Sequence, residues 1–159
     1  MNQPLDLRLD KNEFLRWVEG QPGRYELLGG RVVMMTGASR NHLRVMRGFT
    51  LALEATLDLA KWEPYTLDLA IEVGEDIRYP DILVEPAGLD GKARSTLTPV
   101  FVVEILSPSS IETDMEDKPA EYGILPSVAC YVEASQDEPR IWLWRRDTAG
   151  ALVRDEKPH

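Results

Sequence analysis

The 159-residue sequence predicts a mixed α/β fold, one twisted mixed β-sheet flanked by helices, in a single domain over residues 1–159. Three observations predict it. Leu43, Met46, Phe49, Leu53 and Leu57 recur at three- and four-residue spacing, which is a helix with one apolar stripe. TLDLAIEV (66–73) alternates apolar and polar residues, the period of a strand with one covered face. VFVVEIL (100–106) is a nearly unbroken β-forming apolar run, as found in the middle of a sheet.

Each element follows in chain order. DKNEFLRWVEG (10–20) reads as a short helix, with Phe14, Leu15, Trp17 and Val18 on its apolar side and Gly20 as its stop. RYELLGGRVVMM gives two strands, 24–28 and 31–35, joined by the two-residue turn Gly29-Gly30. Ser39 is a good N-cap for the long helix, which is expected to run to about residue 60. The alternating strand follows. A turn at 74–76 then leads into RYPDILVEP, a strand from Asp81, and the polar loop AGLDGKARSTLT precedes the apolar strand. SPSSIETD supplies turn and capping residues for a helix over about 112–122. Strands over 128–133 and 140–145 come next, and the tail ALVRDEKPH is read as an edge strand that then frays. Trp142 and Trp144 alternate onto one face, so they are expected in the core or at a subunit contact.

Composition narrows the function. Apolar residues make up 43% and charged residues 28%, ordinary for a globular protein. No apolar run approaches the roughly 20 residues of a membrane span, and the N-terminus lacks the pattern of a secretory leader. A single cysteine, Cys130, fits a reducing compartment, and a cytoplasmic location is expected. The net charge of −9 argues against general affinity for polyanions. An acidic chain still acts on DNA where basic residues gather locally or divalent metals neutralise an acidic centre. Arg40, Arg44, Arg47, Lys92 and Arg94 are candidates for such a groove, or else ordinary solvated charge.

The feature that points to chemistry is Glu104, a carboxylate inside the apolar strand. Such a group is costly unless something pairs with it or coordinates through it. A buried ion pair with an arginine is one way to meet that cost. A metal site shared with Asp81, which opens the preceding strand, is the other, since paired hard oxygens are what Mg²⁺ prefers alongside water and substrate phosphate. Asp114, Lys118 and Tyr122 recur every four residues, so a lysine on that helix face can reach back towards the carboxylates, or else lie in solvent.

RYPDILVE, PVFVVEILSPSS and then D-x-x-x-K-x-x-x-Y at 114–122 follow the skeleton of the PD-(D/E)XK nuclease superfamily. In this wording they resemble the Uma-two family of restriction-endonuclease-like proteins. RYELLGGRVVMMTGAS followed by Asn41-His42 is similar to that family's hairpin and helix entrance, so the resemblance covers about residues 14–144. It implies a restriction-endonuclease-like core with an N-terminal helix and β-hairpin, and a metal-dependent endonuclease that hydrolyses the phosphodiester bonds of DNA. It further implies Asp81 and Glu104 as ligands of Mg²⁺ (or Mn²⁺), with the main-chain carbonyl of Ile105 as a third oxygen. Glu26 and His42 match positions where the family holds acidic and histidine residues, near the same pocket. The superfamily's usual lysine position is Leu106 here, and Lys118 would take over its role of orienting the attacking water or offsetting phosphate charge. Pro119, directly after Lys118, threatens that reach if the helix begins well before it. The alternative expectation, from Leu106, Pro119 and the acidic surface, is a nuclease fold that does not cut and serves as an oligomeric, homodimeric interaction module.

Overall fold

The computed structural model describes residues 3–106 and 111–157, with side chains over 5–106 and 117–157. The order is β1 (Gln3–Arg8), α1 (Lys11–Val18), β2 (Tyr25–Leu28), β3 (Arg31–Met34), α2 (Arg40–Thr56), β4 (Trp62–Thr66), β5 (Ala70–Val73) and β6 (Asp76–Arg78). There follow β7 (Ile82–Pro86), β8 (Ser95–Thr96), β9 (Phe101–Leu106), α3 (Ile111–Gly123), β10 (Cys130–Ser135), β11 (Ile141–Arg146) and β12 (Leu152–Arg154).

The mixed α/β architecture is as the sequence predicts, but the described strands divide between two six-stranded sheets. One runs β1-β3-β2-β6-β5-β8 and the other β12-β11-β10-β9-β7-β4. The predicted alternating strand 66–73 is where they part. Leu67 takes φ +66°, a left-handed conformation costly for a branched side chain. It breaks the run so that β4 joins the second sheet and β5 the first. The chain returns through Tyr79-Pro80-Asp81, from β6 in the first sheet to β7 in the second. The Leu67 N–H donates to the Asp81 carbonyl at 3.1 Å, so the two crossings are tied together.

Local signals account for the helix ends and hairpin. Asp10 caps α1 in a reciprocal box with Glu13, and the Ser39 side chain accepts from the His42 N–H at the start of α2. Gly29 and Gly30 take φ +55° and +75° in the β2–β3 turn. Helix α2 stops at Thr56, earlier than predicted. No residue of it is buried; Met46, Phe49 and Leu53 rest on Ile82, Val103 and Val132, while Leu43 is 43% exposed. The other face of the second sheet is the main core, where Val102, Leu83, Tyr122, Tyr131 and Trp144 pack together. Trp142 packs partly buried against that cluster. No helix among the described residues is long and apolar enough to cross a membrane.

Candidate functional site

β7 and β9 are antiparallel neighbours, with Ile82 opposite Val103, and that register sets Asp81 beside Glu104 on the face of the main core. Both carboxylates are buried, Asp81 at 7% and Glu104 at 7% exposure. Asp81 Oδ1 lies 2.9 Å from His42 Nε2, and its Oδ2 accepts from the Ile105 N–H at 2.7 Å. Ile105 thus meets Asp81 through its N–H. Glu104 Oε1 accepts from the Tyr122 hydroxyl at 2.9 Å, and Oε2 lies 3.2 Å from Lys118 Nζ. Lys118 and Tyr122, one turn apart, therefore do meet the strand from one face of α3. The side chain of Asp114 and the 107–110 turn lie outside the described residues.

Helix α3 begins at Ile111, so Pro119 is interior, and the lysine reaches Glu104 with that proline in place. Burial pushes the Glu104 carboxyl up to about 7; Lys118 opposes the rise, Asp81 and Glu26 add to it, and the Tyr122 hydroxyl opposes it. Leu106, at the superfamily's lysine position, is 2% exposed and belongs to the core.

Glu26 belongs to an adjoining ionic cluster. Its Oε1 accepts from the Tyr79 N–H at 3.1 Å, and Oε2 lies 3.4 Å from Arg78 Nη1. Arg78 also holds Glu121 in a two-point contact, Nε to Oε2 at 2.9 Å and Nη2 to Oε1 at 2.6 Å. Burial alone would lower the Arg78 pKa, but the Glu26 and Glu121 carboxylates outweigh it and hold the pKa above its usual value. The cation that meets Glu104 is Lys118, where an arginine is the expected alternative; the nearby Arg78 pairs with Glu26 and Glu121 instead.

Sequence reasoning missed Arg78, Glu121 and Glu133. Glu133 is 0% exposed, lies directly across from Glu104 on the parallel strand β10, and accepts from the Tyr131 hydroxyl at 3.0 Å. A signal was present: CYVEAS sets a carboxylate in an apolar strand just as FVVEIL does. For Arg78 the only signal was its place two residues before Pro80-Asp81.

The family model described as "Uma2: Putative restriction endonuclease" matches residues 12–157. The chain belongs to the Uma2 family. It is 30% identical over 146 residues to the uncharacterized protein slr1290 of Synechocystis sp., an alignment covering 90% of this chain and 77% of that one. A second protein of that organism, sll1609, is 26% identical over 129 residues, covering 78% and 73%. A solved structure from Anabaena variabilis, described as "a putative nuclease belonging to DUF820", superposes with a TM-score of 0.74 at 16% identity. It covers 92% of this chain and 83% of its own, and carries the same fold. The paired strands β7 and β9 and the helix behind them are thus features of a Uma2 chain with a nuclease-like fold.

Among the described residues no three His, Cys, Asp or Glu side chains gather in metal-ligating geometry. What stands together is two carboxylates and a main-chain strand end. That donor set fits Mg²⁺, which takes one or two carboxylates and keeps waters and substrate phosphate for its other positions. Among the described residues each carboxylate oxygen here has one protein partner, which leaves it a second lone pair. Burial is the main cause of the raised Glu104 pKa, and the smaller push from the Asp81 and Glu26 carboxylates is the part that a cation between Asp81 and Glu104 would offset.

Proposed function

We propose that this Uma2 chain is one nuclease domain that hydrolyses phosphodiester bonds of DNA with the help of Mg²⁺ or Mn²⁺. The observation that carries the reading is the placing of Asp81, just before β7, beside Glu104 on β9, with Lys118 Nζ 3.2 Å from Glu104. Asp81, Glu104 and the Ile105 carbonyl would hold the ion. When bound, it supplies Lewis acidity and a water of lowered pKa at the scissile phosphate.

The remaining work falls to the chain's own groups. His42 and the Ile105 N–H hold both Asp81 oxygens in place. Tyr122 holds Glu104 from one side, leaving its other oxygen to Lys118. The Lys118 ammonium stands where it can turn from Glu104 to a phosphate oxygen and offset the charge that grows there, or steer the attacking water. Glu26, through Arg78 and the Tyr79 N–H, fixes the segment that leads into Asp81; it is a positioning residue.

The test is cleavage of single- and double-stranded DNA by the purified protein with each divalent metal, together with melting in Mn²⁺. Asp81→Asn and Glu104→Gln are expected to abolish cleavage and any Mn²⁺-dependent rise in melting temperature. Lys118→Met is expected to slow cleavage by about 10²-fold or more while leaving Mn²⁺ stabilisation in place. Absence of both cleavage and Mn²⁺ stabilisation in the unaltered protein refutes the reading.

A second reading, a homodimeric module of nuclease fold that does not cut, draws on the buried Leu106 and on the protein partner already present at each carboxylate oxygen. It is favoured by a stable dimer in sedimentation with no response to metal. A cytoplasmic setting fits either reading.

A further inference from the structure

On the far side of β2 and β6 from the ionic cluster lies a cavity of about 450 Å³, between the end of α1, the 20–24 loop and the start of β8. Two pairs of neighbouring residues divide their side chains between the two places. Glu26 and Arg78 face the ionic cluster, while Tyr25 and Tyr79 line the cavity. Leu15 and Val18 add an apolar wall. The Tyr25 ring is fixed edge-on against Trp17, with centroids 5.0 Å apart. Gly23 lets the same ring lie close, since a Cβ there would come within 3.1 Å of its hydroxyl.

Into this cavity comes Arg24, and its guanidinium is poorly satisfied. The side chain is 35% exposed, but Nε and Nη2 are buried and have no hydrogen-bond partner among the described residues. Asp68 Oδ1, on a side chain 88% exposed, stands 3.7 Å from Nε, beyond hydrogen-bond reach. Leaving buried charged donors unpaired is costly, and a small turn of the guanidinium towards an acceptor brought by a ligand would remove that cost. Arg94 lines the same cavity; its contact with Glu19, 3.4 Å between exposed groups, is a weak one that an anion can displace.

We propose that this cavity binds a nucleoside monophosphate, the phosphate on Arg24 and Arg94 and the base between Tyr25 and Tyr79. Arg24 and Arg94 offer guanidinium donors to a phosphate, which must displace the loosely held Glu19 and Asp68 on the same lining. Two aromatic walls suit a flat ring, and the volume lies within the range of about 300–1,000 Å³ usual for small-molecule sites. The same chemistry is met in a free nucleotide or in the phosphorylated end of a strand. The inference stands apart from the hydrolytic reading, because Asp81 and Glu104 lie on the other side of β6.

The experiment is calorimetric titration, in EDTA, of deoxynucleoside 5′-monophosphates, the matching deoxynucleosides, inorganic phosphate and a 5′-phosphorylated oligonucleotide. The monophosphate is expected to bind at least ten-fold more tightly than either the nucleoside or phosphate. Arg24→Gln is expected to weaken it by about 10- to 100-fold, the worth of charged hydrogen bonds, and Asp68→Asn to tighten it. Asp81→Asn should leave it unchanged. Competition by the oligonucleotide assigns the strand end as the source, and its absence assigns the free nucleotide. The proposal is overturned by absence of binding at millimolar monophosphate, or by phosphate binding as well as the nucleotide. It is equally overturned if Asp81→Asn abolishes binding while Arg24→Gln, shown folded by its melting transition, retains it.

Discussion

Arg78→Met tests how the segment leading to Asp81 is held. Arg78 is 7% exposed and faces Glu26, itself 3% exposed, together with Glu121. Removing the guanidinium leaves Glu26 buried with the Tyr79 N–H but without its cation. Breaking a buried pair from one side costs about 3–5 kcal/mol, because the remaining charge is uncompensated. That is a large part of the roughly 5–15 kcal/mol that holds a domain folded. At about 2–4 °C per kcal/mol for a chain of this size, melting should fall by about 6–20 °C. Urea denaturation gives the free energy and calorimetry the temperature. The double variant Glu26→Gln, Arg78→Met removes both charges and should recover more than half of the loss. A single-variant cost below about 1 kcal/mol, or a double variant as unstable as the sum of the two singles, would refute this account of the cluster.

Three further outcomes are expected. In metal-free protein Glu104 has a pKa of about 7 against an ordinary 4.5, so the folded state keeps a proton that the unfolded state releases. Stability should therefore decline as pH rises through that window, by on the order of 3 kcal/mol at most. Glu104→Gln should flatten the decline in urea midpoints measured at pH 5 and 7.5. Tyr122→Phe removes the hydroxyl 2.9 Å from Glu104 and should cost about 1.5–3 kcal/mol above pH 7, where that carboxylate is charged. The same comparison at pH 5 should show a smaller loss. Gly30→Val puts a β-branched residue at φ +75° in the β2–β3 turn and should cost about 1–2 kcal/mol in the same assay. Gly30→Asn should cost less, since asparagine tolerates that conformation.

Much of this was legible in the sequence because it is local. The α1 and α2 caps, the Gly29-Gly30 turn and the apolar run of β9 are each written within a few residues. The approach of Asp81 to Glu104 was legible for a different reason: each is a carboxylate where the surrounding pattern calls for a strand. The splitting of 66–73 was not, because Leu67 carries no mark of a left-handed turn and its cost is borne by tertiary pairing to both sheets. β1 and β4 were missed because their sequences, QPLDLR and WEPYT, each contain a proline, and an edge place in a sheet is what tolerates it. Arg78 was hidden because its partners lie 52 and 43 positions away.

The pairings of β4 with β7 and of β5 with β6 carry a consequence for the order of folding. Trp62 pairs with Pro86, Thr66 with Ile82, Ile71 with Arg78 and Val73 with Asp76, so the four strands are one nested hairpin bent across two sheets. Its strand pairs span at most 86 − 62 = 24 positions, and contacts of that range close with less loss of chain entropy than those between distant parts of the chain. The hairpin can therefore zip from Gly74 outwards and fix the rung between Leu67 and Asp81 before either sheet is complete. In that order Glu104 and His42, on β9 and α2, would meet an aspartate whose backbone is already in place. Asp81 would then be held to the first half of the molecule by its main chain before the second half reaches its side chain.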